Sequence, residues 1–292
     1  MSWRGLEGRE RMHGGLLIAA LAGVVQGIVE WLPVSSKTMI TLIFFLGGYK
    51  PGTAYVLGLL ANFGSFFAAL WYFRRDVGAA FAGLRHPFSG ERDAAILRYL
   101  FLATAATGLI GLPIYIAVRH AFSIATGGEA MVAIGVLLLV TSLISWRRER
   151  LAAAAASGEP EPDRVPGTAT SLIVGAAQGL AALPGISRSA VTVTPLLLRG
   201  HDGQQALRYS FLLDVVGLLG AGVVPLLIGH GGLSAIHQVG LPVVLVLLVV
   251  SAVFSFLTIG VILRFASRLR SSVVTLAVGI LTIAGAFALY IH

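Results

Sequence analysis

Residues 26–38 read QGIVEWLPVSSKT, and they interrupt an apolar stretch that runs from about 14 to 47. Glu30, Pro33, Ser35, Ser36 and Lys37 fall where a membrane span would have its middle. Neither half of the stretch is long enough to cross alone, because a transmembrane helix needs ~20 apolar residues. A second stretch, 168–198, is broken in the same manner by Pro184-Gly185-Ile186-Ser187-Arg188-Ser189. Polar, irregular backbone at membrane depth is tolerated only where it lines a covered or wet cavity. Both stretches therefore read as re-entrant helix hairpins.

The rest of the chain agrees with a membrane setting. Of 292 residues, 57% are hydrophobic and only 12% are Asp, Glu, Lys or Arg, about half the globular norm of ~25%. That balance excludes a soluble globular enzyme and a disordered chain. Plain apolar spans occur near 53–73, 95–118, 129–146, 204–229, 239–263 and 271–291. They are continuous rather than alternating, which argues against a β-barrel. The expected fold is an all-α polytopic membrane protein forming a single membrane domain over 1–292, with six transmembrane helices and two re-entrant hairpins. Residues 1–13 read as a solvated tail with no cleavable signal peptide. The absence of cysteine excludes disulfides, thiolate catalysis and zinc–thiolate or iron–sulfur sites.

Charge gives the orientation. If both hairpins return to their starting side, Arg4, Arg9, Arg11, Lys50 and Arg119 fall on one side of the membrane. Lys37 and Arg188 fall in the breaks, and the remaining fourteen of the 21 cations fall on the other side. The fourteen-charge side is then cytoplasmic, both termini lie outside, and the location is the cell membrane. The net charge of +8 reports this topology, so nucleic acid is not an expected partner. Trp31, Trp71, Tyr72 and Trp146 are expected to mark span ends as an interfacial belt.

Positions 152 apart also match. Gly23-x-x-Gln26-Gly27 aligns with Gly175-x-x-Gln178-Gly179, Ser35 with Ser187 and Ala54 with Ala206. Each half, about 14–146 and 168–291, holds one broken stretch and three crossings. An odd number of crossings turns the second half upside down, giving an inverted repeat whose broken elements meet near the midplane. A Pro- and Ala-rich linker, 147–167, joins the halves.

Few charged side chains lie within the apolar stretches, and they carry the candidate chemistry. Arg188 at membrane depth costs ~2.5–3.5 kcal/mol on insertion scales. Its planar fork suits phosphoryl oxygens. Ser35, Ser36, Ser187 and Ser189 flank the starts of new half-helices. Serine commonly caps such starts, and half-helix N-termini also suit an anion. One of these hydroxyls could be a nucleophile. Lys37 adds a second cation. Gln26 and Glu30 share a helix face, and Glu30 reads as a general base, a metal ligand or a partner of Arg188. Asp214, within YSFLLDVVG, is a further intramembrane carboxylate, with Asn62 at the corresponding place in the first half. The seven histidines all fall outside the spans or at their ends.

These motifs resemble a known family. Gln26-Gly-Ile-Val-Glu30-Trp-Leu-Pro-Val-Ser-Ser36 is similar to the (E/Q)xxxE-x-x-P-V-S-S segment of undecaprenyl-diphosphate phosphatases of the bacitracin-resistance (BacA-type) family. Pro184-Gly-Ile-Ser-Arg188-Ser matches that family's PGxSRS motif, and Ala206-Leu-Arg-Tyr-Ser-Phe-Leu-Leu213 resembles its A-x-x-F-S-F-L-L segment. The resemblance implies removal of the terminal phosphate from a C55 polyprenyl diphosphate, recycling the lipid carrier for cell-wall synthesis. It also implies a divalent metal ion (Mg2+ or Ca2+), for which Glu30 is the candidate ligand. Ser36 takes the proposed nucleophile position, Glu30 and Gln26 the acidic-motif positions, and Arg188 the phosphate-binding position. Three positions depart from the pattern. Met39 replaces a histidine, Ala190 a glycine, and Asp214 an apolar residue. The expected partners are the polyprenyl diphosphate and membrane lipids. A non-hydrolytic carrier-lipid transporter or flippase is the alternative.

Overall fold

The computed structural model describes residues 3–32, 34–155, 163–228, 231–265 and 271–291, so Pro33 and part of the linker lie outside the described residues. Among the described residues the chain is helical throughout, with no strand. The six expected spans fall on α3 (Pro51–Tyr72), α5 (Arg92–Ile124), α6 (Gly127–Ala155), α9 (Gly203–Leu227), α11 (Leu241–Phe265) and α12 (Ser271–Ile291). The first five are long and apolar enough to cross a bilayer. Their outward faces carry large apolar side chains such as Leu109, Leu143, Val249 and Leu281. The protein is therefore an all-α, multi-pass membrane protein.

The two broken stretches form helix pairs. α1 (Trp3–Val29) turns into α2 (Ser36–Leu46), and α7 (Thr168–Leu180) turns into α8 (Arg188–Leu198). Each first arm packs on a long helix from the other half of the chain, α1 on α11 and α7 on α5. Glycine makes both approaches possible. A Cβ on Gly27 would lie 2.6 Å from the Ser255 amide, and one on Gly175 would lie 2.2 Å from the Ala103 carbonyl oxygen. Such close backbone contact is how helices associate where no water drives them together. α3 packs on α9 and α6 on α12.

Local chemistry sets several boundaries. Pro51 occupies the first turn of α3, where its missing N–H costs nothing. Thr126 and Glu129 form a reciprocal capping box before α6, with bonds of 2.8 and 3.3 Å. The Asp202 carboxylate accepts from the amides of Gln204 and Gln205, both at 2.8 Å, and opens α9.

Four expectations need correction. The tail expected over 1–13 is helical from Trp3 and continuous with α1, because adding residues to a nucleated helix is easy. α6 likewise runs through Arg147, Arg148 and Arg150 to Ala155. Its alanines are strong helix formers, and the linker shortens accordingly. Two short helices, α4 (Arg74–Gly83) and α10 (Gly231–Val239), occupy expected connections. Trp31 is wholly buried, its ring 6.1 Å from that of Phe211, rather than at an interface. Trp71 and Tyr72 are exposed at the end of α3 as expected, and Trp146 is exposed but lies inside the extended α6 rather than at its end.

Candidate active site

The turns of the two hairpins meet at one cavity of about 270 Å³, lined by Glu30, Ser36, Lys37, Arg188 and neighbours from α3, α5, α7 and α9. Glu30 lies in the first turn and is buried. Its Oε2 accepts from Ser36 Oγ at 2.5 Å and from Gln26 Nε2 at 2.7 Å. Its Oε1 pairs with an Nη2 hydrogen of Arg188. Ser36 begins α2 and Arg188 begins α8, so the hydroxyl and the guanidinium stand at the two half-helix starts.

Arg188 also lies within ion-pair distance of a second carboxylate. Its Nε lies 2.8 Å from Asp214 Oδ1, and Asp214 is fully buried on α9. Nη1 faces Gly217, where a Cβ would come within 3.1 Å of it. The guanidinium thus stands between two carboxylates, and Arg188 lines the cavity. An arginine alone at this depth is costly, and two buried acids make it affordable. Lys37 is buried, and its Nζ donates to the Ile186 carbonyl at 3.4 Å.

The serines divide. Ser35 and Ser187 occupy the N-cap positions of α2 and α8, yet neither side chain caps its helix. The capping expectation fails because the side chains find other partners, across the hairpins for Ser35 and within its own hairpin for Ser187. Ser35 Oγ pairs with Thr38 Oγ1 at 2.7 Å and donates to the Ile186 carbonyl at 3.3 Å. Ser187 Oγ lies 3.4 Å from Ser189 Oγ. The first-turn amides of both half-helices are left without a capping side chain. Only Ser36 touches the carboxylate.

Supporting residues escaped the sequence reading. Thr38 Oγ1 accepts from the Gly185 amide at 2.6 Å, and Thr141 donates to the Gly185 carbonyl at 2.6 Å and accepts from the Ser187 amide at 3.2 Å. These threonines from α2 and α6 hold the second turn. Gln26 Nε2 also reaches Ser65 Oγ at 3.3 Å, which in turn accepts from Ser255 at 2.8 Å. Hydroxyls inside apolar spans were the available signal, though threonine commonly bonds its own helix instead, as Thr41 does. Asn62 lines the cavity but spends its amide on the Gly58 and Leu59 carbonyls at 3.0 Å.

The donors do not fit a divalent ion as they are arranged. Mg2+ and Ca2+ take six or more oxygen ligands. Both Glu30 oxygens are committed, Asp214 faces Arg188, and no cluster of three or more His, Asp or Glu side chains occurs among the described residues.

Comparison with known proteins identifies the family. The family described as "Bacitracin resistance protein BacA" matches residues 19–284. Among similar proteins is the undecaprenyl-diphosphatase of Haloarcula marismortui, 40% identical over 254 residues that cover 85% of this chain and 89% of that protein. The undecaprenyl-diphosphatase of Saccharolobus islandicus is 36% identical, with 86% and 88% covered. That of Methanococcoides burtonii is 34% identical, with 91% and 96% covered. A match over this length, with both hairpins inside it, means that the chain belongs to the BacA family.

Proposed function

We propose that this chain is a membrane phosphatase that hydrolyses a polyprenyl diphosphate of the undecaprenyl type to the monophosphate and inorganic phosphate, recycling the lipid carrier at the cell membrane. The observation that carries this reading is the Ser36–Glu30–Arg188 arrangement, in which one carboxylate joins a hydroxyl from one hairpin to a guanidinium from the other. The reaction replaces the anhydride P–O bond with a bond to water oxygen. The chief need in such a transfer is positioning and charge neutralisation.

Arg188 Nη1, the Lys37 ammonium and the open first-turn amides of α2 and α8 take the diphosphate oxygens. Ser36 Oγ attacks the terminal phosphorus while Glu30 Oε2, 2.5 Å away, receives its proton. The polyprenyl monophosphate leaves with the anhydride oxygen. Water then displaces Ser36 from phosphorus, and the proton returns from Glu30. Gln26 keeps Glu30 aimed at Ser36, and Asp214 keeps Arg188 aimed at the cavity. No step runs through a metal ion.

The same reading takes six crossings, an inverted repeat with halves 14–146 and 168–291, and both termini outside. The reciprocal packing of α1 on α11 and α7 on α5 supports the repeat, and the cation count supports the orientation. The test is phosphate release from undecaprenyl diphosphate by purified protein, with and without a chelator. Release in both conditions is expected. Leaflet exchange of the lipid with no phosphate release would overturn the enzymatic reading in favour of a transporter.

A further inference from the structure

We propose that the slot between α5 and α9 is the binding site for the isoprenyl chain and that Gly108 and Gly220 keep it open; this rests on the phosphatase reading above.

The two helices are pinned at both ends and parted between. Near one end Tyr99 Oη on α5 donates to the Tyr209 carbonyl of α9 at 2.8 Å. Near the other, Arg119 Nη1 donates to the Ile228 carbonyl at 3.3 Å. Six residues between 104 and 115 on α5 and six between 216 and 225 on α9 line the cavity that holds Glu30 and Arg188. At 1.5 Å per residue the α9 wall runs for ~14 Å. Its lining includes Leu112, Val216, Ala221 and Val224.

The seam between α3 and α11 is built the other way. A Cβ on Gly64 would lie 2.5 Å from the Leu248 carbonyl oxygen, so glycine there lets two backbones touch. The Ser255–Ser65 bond crosses that seam at 2.8 Å. Gly108 and Gly220 permit no such contact. A Cβ at either would meet nothing within 4 Å. Glycine inside a helix is disfavoured against alanine, and here it buys space rather than contact.

The slot begins at the charged site, because Gly217 abuts Arg188 Nη1. It ends at apolar surface, where Leu109 and Leu112 are 76% and 37% exposed. A ligand with a diphosphate at one end and a branched hydrocarbon at the other fits that gradient. A single chain held in this way leaves sideways, into the hydrocarbon of the bilayer.

The test compares wild type, Gly220→Phe and Leu219→Phe on undecaprenyl diphosphate and on dimethylallyl diphosphate, whose single isoprene unit is too short to run past Gly220. Leu219 is on the same helix, outside the cavity lining. We expect Gly220→Phe to lower the long-to-short ratio of kcat/KM at least about tenfold, the scale of an overfilled apolar site. Leu219→Phe should leave that ratio as in wild type. An unchanged ratio in Gly220→Phe overturns the proposal, and so does an equal loss on both substrates. A photoreactive polyprenyl phosphate supplies a readout without turnover, since it should label α5 and α9 in wild type and not in Gly220→Phe. Labelling there without any phosphate release would sink the phosphatase reading and leave the slot standing. Release without labelling there would do the reverse.

Discussion

The first hairpin turns between α1 and α2, the second between α7 and α8, and their turns are held by different means. In the second, Gly185 takes a φ of +103°, and a Cβ there would lie 2.5 Å from Leu137 Cβ. Thr38 and Thr141, from outside the hairpin, satisfy its amide and carbonyl. In the first turn, hydrogen bonds run within the hairpin itself, from Gln26 and Ser36 to Glu30. The electrical contents differ. The first hairpin carries a carboxylate, a hydroxyl and an ammonium, while the second carries a guanidinium and no acid. Arg188 therefore depends on acids from outside its own hairpin at membrane depth. Their meeting is therefore a condition of stability as well as of chemistry, and the same contact serves both.

The largest effect should come from separating that pair. Glu30→Gln and Arg188→Gln should each lower kcat/KM by about 10²–10³-fold, as loss of a preorganised charge does in a water-poor site. The double variant should be no worse than the poorer single, because groups that act as one unit do not lose twice. Steady-state phosphate release measures all three. Multiplicative losses would mean that the hairpins contribute independently. The stability of the folded protein gives a second view. Arg188→Gln leaves buried carboxylates without their partner, at about 3–5 kcal/mol, and the double should recover part of it; Glu30→Gln, which leaves Arg188 its Asp214 partner, should cost less.

Lys37 sharpens the comparison at smaller scale. In the repeat register it faces Ser189, so the first hairpin holds a cation where the second holds a hydroxyl. Its ammonium makes one long bond to the Ile186 carbonyl and borders the cavity. Lys37→Met should raise KM for the diphosphate about tenfold, the worth of a hydrogen bond to a charged group, with less change in kcat. An unchanged KM would remove Lys37 from phosphate binding and leave the first hairpin purely acidic.

Much of this was legible in the sequence. The spans were continuous and apolar, so each expected one fell on a helix. The breaks were legible because proline and charge are conspicuous in apolar runs. Glu30, Ser36 and Arg188 converge because the two breaks do. Gly217, Gly220, Thr38 and Thr141 were not legible. Glycine and threonine are ordinary in membrane helices, and only the position of a neighbouring helix separates a packing glycine from one that leaves space. The serine caps failed for a related reason, since these hydroxyls found side-chain and carbonyl partners that the folded turns bring to them, Ile186 of the opposite hairpin for Ser35 and Glu30 for Ser36.

The smallest effect concerns what ties the segment after the first half to both halves. Asp163 pairs with Arg92 at 2.6 Å and Arg208 at 2.8 Å, and accepts from Tyr209 Oη at 2.8 Å. Arg208 also reaches Asp76 on α4 at 2.5 Å. Partial burial pushes the Asp163 carboxyl up, but the Tyr209 and Arg92 hydrogen bonds and the two arginine charges outweigh it, and it rests below the usual carboxylate range. A depressed value means that the folded state favours the ionised form. Its contribution is present above the unfolded value of ~3.9 and is lost as pH falls through the lower folded value. The side chains are about one-third exposed or more, so solvent screening keeps the contribution within ~1 kcal/mol. Asp163→Asn should lower Tm slightly at neutral pH, and the gap from wild type should close in acid, below the folded value. A gap that persists unchanged there would assign the effect of the substitution to packing, leaving the hairpins, rather than this ionic tie, to hold the halves in register.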